Sequence, residues 1–286
     1  MTIDIDADGF DENIIVTQTQ SLLVHPDRGL TVSELTFLHP GGEPVPLGHV
    51  LSRQLEGYHK SVPGMGSSGE VRTIHDDISS KEEGLAEKIS IDRWRRMCFS
   101  DIVMPFSMDL NNWRQSNLEI THFQKPAFSS STSISDSIVS FSGEFMEEKL
   151  RVRKRMTAEM KMPVIRTSSE YFVGPLDRAG MEICLNLMTG QSPDRYYMVG
   201  SGGTHLMSFE GEFRGKRIEV SDCWRKVKMV IEMNCESDIW VSPLDSVNMS
   251  ESGFESVHQG AAFYVSGNAD DTGYFKLEIS MSMEAL

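Results

Sequence analysis

From Ile138 to Met281 the chain is a close succession of short segments in which apolar and polar residues alternate. Ile138-Val139-Ser140-Phe141-Ser142-Gly143-Glu144-Phe145 is one such segment, and residues 149–155 are another. Gly180–Leu187, Tyr196–Val199, His205–Phe209, Lys216–Val220, Val227–Met233, Ala261–Val265 and Tyr274–Met281 follow. A period of two sends successive side chains to opposite faces of a strand. The glycine and proline turns between them leave no room for the crossover helices that a parallel sheet needs. Residues 136–286 therefore read as an antiparallel β core domain. The fold class is mainly β, an antiparallel jelly-roll-like sandwich with a few short peripheral helices.

The first half is less regular. Residues 1–12 hold Asp4, Asp6, Asp8, Asp11 and Glu12 and no basic side chain, which predicts a flexible acidic arm. Residues 13–128 read as a mixed region packing on the core, with strands at Ile14–Val16, Leu22–Val24 and Leu30–Leu38 before the turn His39-Pro40-Gly41-Gly42. Ser80 and Glu83 have capping-box spacing, and Leu85, Ile89 and Met97 predict a helix reaching about Phe99. Asn111-Asn112-Trp113 opens a second element, and the serine-rich Ser129–Ser135 is the candidate internal boundary.

A net charge of −15 repels phosphate backbones and anionic lipids, so nucleic-acid contact would need local basic patches. Two exist. Lys149, Arg151, Arg153 and Arg155 share one side of a strand, with Leu150 and Val152 to bury on the other. Arg214, Lys216 and Arg217 are followed by Arg225, Lys226 and Lys228, with Phe209, Phe213 and Trp224 among them as possible stacking surfaces for bases. The nucleic-acid-binding candidates are thus Lys149, Arg151, Arg153, Arg155, Arg214, Lys216, Arg217, Arg225 and Lys228. The competing reading is a solvated strand face. In Arg93-Trp94-Arg95-Arg96 the tryptophan is expected to pack on one side of a helix while the arginines stay in water.

No pattern fixes a reaction. Gly64-Met65-Gly66-Ser67-Ser68-Gly69 matches a dinucleotide-binding string but follows Val62-Pro63 and precedes an extended Glu70–Thr73, so it reads as a loop. His49 and His59 flank Glu56, but no Cys-x-x-Cys or His-Glu-x-x-His pattern points to zinc. Cys98, Cys184, Cys223 and Cys235 read as reduced thiols. The acidic pairs Asp76-Asp77, Glu82-Glu83 and Glu147-Glu148 read as solvent-facing. No catalytic residue, cofactor, metal or transmembrane segment is expected. The 18 methionines suggest an adaptable core or interface.

One ordered set of residues resembles a family. Gly180-Met181-Glu182-Ile183-Cys184-Leu185, then Gly200-Ser201, Asp222, the run Val227–Met233 and the pair Pro243-Leu244 stand in the order seen in the thirty-kilodalton superfamily of plant-virus movement proteins. The marker positions are Gly180, Cys184, Leu185, Gly200, Asp222, Pro243 and Leu244; the family's aspartate after the Cys-Leu pair is Leu187 here. The resemblance implies a non-enzymatic cell-to-cell movement protein in the host cytoplasm and plasmodesmata. Its partners would be single-stranded RNA or viral nucleocapsid and host plasmodesmal proteins, with self-association possible. Phe172-Val173-Gly174 before an alternating strand also resembles rhabdovirus matrix proteins, the alternative reading.

Overall fold

A computed structural model describes residues 1–48, 51–63, 82–127, 129–187, 189–251 and 253–286. Five strands form a small sheet in chain order: β1 (Thr2–Ile3), β2 (Glu12–Val16), β3 (Gln20–His25), β4 (Thr31–Leu38) and β5 (Pro44–Pro46). The large sheet has thirteen. They are β6 (Ser100–Met104), β7 (Thr121–His122), β8 (Ser129–Ile134), β9 (Ile138–Glu147), β10 (Leu150–Glu159), β11 (Val164–Phe172), β12 (Arg178–Leu185), β13 (Arg195–Val199), β14 (Thr204–Leu206), β15 (Gly211–Asp222), β16 (Val227–Ser250), β17 (Gly253–Asn268) and β18 (Tyr274–Ala285). Their order is β7-β6-β12-β17-β16-β18-β11-β10-β9-β8, with β13, β14 and β15 joined on through β16. Every strand pair among the described residues is antiparallel. The expected mainly β, antiparallel architecture is what the chain adopts.

The core lies between the sheets. Leu22, Val24, Val32, Leu35 and Phe37 of the small sheet meet Phe141, Phe145, Val152, Met156 and Ile165 of the large one. Each such side chain contributes about 1.5–3 kcal/mol by leaving water, which is why one face of β9 and β10 is apolar. A second cluster packs Trp94 and Trp113 against Cys184, Trp240 and Tyr264 of β12, β16 and β17. The long β16 pairs with β18 through Val227–Met233 and with β17 from Asp238 onward. Asn234, Cys235 and Glu236 fall between those two registers.

The departures from expectation have local causes. The helix predicted to reach Phe99 is a single turn, α1 (Leu85–Lys88); its expected cap Ser80 lies outside the described residues, as do His49, Asp76-Asp77 and the Gly64–Gly69 string. Beyond it the chain is irregular, touching its neighbours through isolated bridges at Arg96 and Cys98, and Trp94 and Arg96 are both buried. Arg96 is 1% exposed, against the expected solvated arginine. The second element is α2 (Leu110–Arg114), capped by Asp109. Ser129–Ser135, expected as a boundary, contains β8, which hydrogen-bonds to β9 along its length. Strands β6 and β11 were not foreseen. Residues 1–12 include β1, while Asp6 and Asp8 pair with Arg28 and Glu12 is buried.

Candidate functional site

The outward faces of β8, β9, β10, β11 and β18 form a polar groove. Pairing register aligns its side chains in rows across the strands, since directly opposed residues share a face. Ser129, Glu144, Arg153, Glu170 and Lys276 form one row. Ser131, Ser142, Arg155, Ser168 and Glu278 form the next. Thr157, Arg166, Ser280 and Glu232 continue it onto β16. Two adjoining hollows of about 720 and 470 Å³ share Arg155, Ser168 and Glu278. At one end Met146, Arg151, Phe172 and Tyr274 make a further row. There the Arg151 guanidinium lies 4.1 Å from the Phe172 ring centre, and the Phe172 and Tyr274 rings are 5.5 Å apart.

Charges along the groove are interleaved. Glu144 Oε1 lies 3.4 Å from both Arg151 and Arg153. Lys276 Nζ is 2.6 Å from Glu278, whose hydrogen bond and charge raise the lysine's pKa. Arg166 pairs with Glu159. Arg155 Nε donates to Ser140 Oγ at 3.3 Å, and the Glu278 amide donates to Asn234 Oδ1 at 2.9 Å. Guanidinium groups supply donors, carboxylates acceptors and serines both, spaced at strand intervals. The surface thus presents donors and acceptors side by side, with aromatic rings at one end.

The predicted basic residues do not make a continuous positive track. Arg151, Arg153 and Arg155 do share the outer face of β10, and Lys149 sits exposed in the turn before it. Lys154 faces inward, where Asp101 and the Phe99 carbonyl hold it; the Asp101 distance is 3.0 Å. Arg214 and Lys216 are exposed on β15. Arg217 is 2.9 Å from Glu219 and also pairs with Glu232. Arg225 is 3.9 Å from Asp222, and Lys228 is 3.4 Å from both Glu219 and Glu284. Phe209 and Phe213 pack around His205, though Phe209 stays exposed, as does Trp224.

The seven marker residues of the resemblance serve the fold, by packing, turn geometry or hydrogen bonding. A Cβ on Gly180 would lie 2.2 Å from the Val265 carbonyl oxygen, and Gly200 has φ +58°. Cys184, Leu185 and Leu244 are buried, with Pro243 beside Leu244 in β16. Asp222 accepts from Arg195 Nε and from the Arg225 amide, both at 3.0 Å, closing the β15–β16 turn.

Sequence reasoning missed the buried polar groups. Glu182 accepts from the indole N–H groups of Trp94 and Trp113 and from Arg96, at 3.3, 2.9 and 2.5 Å. Arg53 and Arg96 both grip Asp92. Tyr171 donates to Asp101 at 2.7 Å. For a metal, two trios among the described residues bring donor atoms within 4.8 Å of one another: exposed Asp4, Asp6 and Asp8, and buried Glu12, His25 and Asp27.

Taken as a class, this is a large antiparallel β protein, and its fold recurs in a galactose mutarotase-like protein. That protein, from Clostridium acetobutylicum, superposes with TM-score 0.50 at 10% identity, covering 100% of this chain and 98% of that one, a likeness of fold alone. The model of the family described as alpha-amylase/4-alpha-glucanotransferase, C-terminal, matches residues 4–281, and the chain belongs to that family. Alpha-amylase 1 of Dictyoglomus thermophilum is 30% identical over 271 residues, 91% of this chain and 38% of its own length. The alpha-amylase of Pyrococcus furiosus is 24% identical over 277 residues, 96% of this chain and 39% of its own. The 4-alpha-glucanotransferase of Thermococcus litoralis superposes with TM-score 0.69 at 18% identity, over 100% of this chain and 41% of that one. The chain thus spans about two fifths of the length of the relatives it matches. Family membership overturns the movement-protein resemblance and its matrix alternative. The RNA, nucleocapsid and plasmodesmal partners, the plasmodesmal location and the non-enzyme reading fall with it, because the relatives are microbial enzymes.

Proposed function

We propose that this chain is the C-terminal part of an enzyme that processes α-glucan, and that its groove holds a stretch of the glucan. The observation that carries the reading is the family match over nearly the whole chain. The groove supports it in three ways. Its rows alternate donors and acceptors, as vicinal hydroxyls require. Ion pairs hold Arg151, Arg153 and Arg166 in place and Ser140 holds Arg155, lowering the ordering cost of binding. Tyr274, beside the arginine-covered Phe172, adds aromatic surface for the apolar side of a sugar.

Calorimetric titration with maltoheptaose tests it, using the wild type, Arg155→Ala and Glu170→Gln. Saturable binding by the wild type is expected, weakened about tenfold in each variant by loss of one hydrogen bond to a charged group. A wild type that binds no linear α-glucan would sink the reading. Binding that both variants leave unchanged would move the ligand out of the groove.

A further inference from the structure

The small sheet holds a convergence of donors unrelated to the groove. Glu12 ends the acidic stretch and opens β2. His25 ends β3, and Asp27 lies in the turn Pro26–Arg28 that follows. All three are buried, at 0, 4 and 7% exposure. His25 Nδ1 is 3.5 Å from Glu12 Oε1 and 4.0 Å from Asp27 Oδ1. These three atoms make no hydrogen bond.

The remaining polar atoms of the trio are engaged. Glu12 Oε2 accepts from the Ile5 amide at 2.7 Å. Asp27 Oδ2 lies 3.3 Å from Arg28 Nε. His25 Nε2 is 2.6 Å from Ser33 Oγ. Arg28, the nearby cation, also directs Nη2 to Asp6 and Asp8, away from the inward atoms. Each residue thus uses one polar atom for the fold and turns the other toward a common point.

Two buried carboxylate oxygens facing an imidazole nitrogen favour a positive centre there, either an imidazolium or a bound cation. With the ring proton on Nε2, donated to Ser33, the Nδ1 lone pair faces the carboxylates and repels them. With the proton on Nδ1, that N–H has no acceptor in hydrogen-bond geometry. A cation between the three satisfies all of them at once. The 3.5 Å separation is that of tetrahedral ligands at about 2.0–2.2 Å from an ion, and the 4.0 Å one reaches it with a shift of about half an ångström. The Ser33 contact also supplies the outer hydrogen bond that orients a metal-binding histidine.

We propose that Glu12, His25 and Asp27 bind one divalent transition-metal ion, Zn²⁺ fitting the donor set best. One imidazole with two carboxylates suits zinc, whereas calcium and magnesium favour oxygen alone. The ion ties the end of the acidic stretch to β3 and the turn after it, so its role is structural.

The test uses the full chain, stripped with chelator, then exposed separately to Zn²⁺, Co²⁺ and Ca²⁺ and dialysed. The wild type is expected to keep one equivalent of Zn²⁺ and, with Co²⁺, to show visible d–d absorption. Zn²⁺ should also raise its unfolding midpoint. His25→Ala should lose all three signals, and the near-isosteric Glu12→Gln should weaken Zn²⁺ binding at least about tenfold, as loss of a metal-site partner does. A wild type that keeps no Zn²⁺ overturns the proposal. So does an unchanged Co²⁺ spectrum in Glu12→Gln, which decides the matter if His25→Ala loses its β-sheet circular dichroism. Retention of Ca²⁺ in place of Zn²⁺ would point to Asp4, Asp6 and Asp8 and overturn it as well.

Discussion

Arg96 is buried among five hydrogen bonds: to Asp92, Glu182, the carbonyls of Trp113 and Arg114, and Ser116. Its charge is matched on both sides, and Glu182 also satisfies two indole N–H groups. Replacing Glu182 by Leu removes all three interactions at once and leaves a buried guanidinium short of a partner. A loss of about 3–5 kcal/mol is expected in urea unfolding at neutral pH. Arg96→Met together with Glu182→Leu should recover part of that, because the stranded charge is gone. Asp92 adds a pH signature. Burial alone would raise its pKa, but hydrogen bonds from Arg53 and the charge of Arg96 outweigh it and hold the carboxyl at about 2. The folded value is depressed below the ordinary 3.8, so the stabilisation is complete above that pH and disappears as pH falls toward 2. It is worth roughly 2 kcal/mol. Unfolding of Asp92→Asn should therefore be less pH-dependent than the wild type between about pH 5 and 2. A parallel pH profile for the two proteins would show that Asp92 does not carry this effect.

Strand β12 is the element with least freedom. It runs between β6 and β17 with all eight residues buried. A methyl on Gly180 would meet the Val265 carbonyl oxygen at 2.2 Å and the Ser266 Cα at 2.7 Å, both backbone atoms that cannot rotate away. Gly180→Ala should cost about 3 kcal/mol or more. Gly203→Ala, where nothing lies within 4 Å, should stay within about 0.5 kcal/mol of the wild type. Equal midpoints for the two variants would contradict the packing account. Burial also explains which elements the sequence makes legible. Strands β9 and β10 bury alternate residues, so alternation reveals them. Strand β6 is buried on both faces and includes Ser100 and Asp101, so neither period nor composition marks it. Strand β8 is exposed throughout and mostly serine, so it reads as a linker although β9 holds it as an edge. The groove was legible only by half. Arg151, Arg153 and Arg155 fall on one face by local spacing, but Glu144, Glu170 and Glu278 reach them from other strands. Only the sheet register brings those acids in.

Across the molecule, a net charge of −15 coexists with a groove in which Arg151, Arg153 and Arg166 are paired with acids and Arg155 lies among serines. The field of the whole chain disfavours a polyanion, and the groove offers no uncompensated row of cations to overcome it. A neutral ligand is indifferent to that field. Its hydroxyls exchange water for the same donors and acceptors at any ionic strength, and no counterions are released. Binding of a phosphate backbone instead weakens steeply with salt, in proportion to the phosphates neutralised. The two ligand classes therefore part company in one titration series. The affinity for maltoheptaose should change less than about twofold between ~50 and ~200 mM NaCl, whereas a phosphate-backbone ligand making several contacts would lose orders of magnitude over that range. Single-stranded RNA should show no saturable binding at the upper salt concentration. A maltoheptaose affinity that falls tenfold or more over the series would mean that net charge, rather than hydroxyl pairing along the rows, governs the groove. In that event the interleaved acids on β9, β11 and β18 would not be matching the arginines as their register implies.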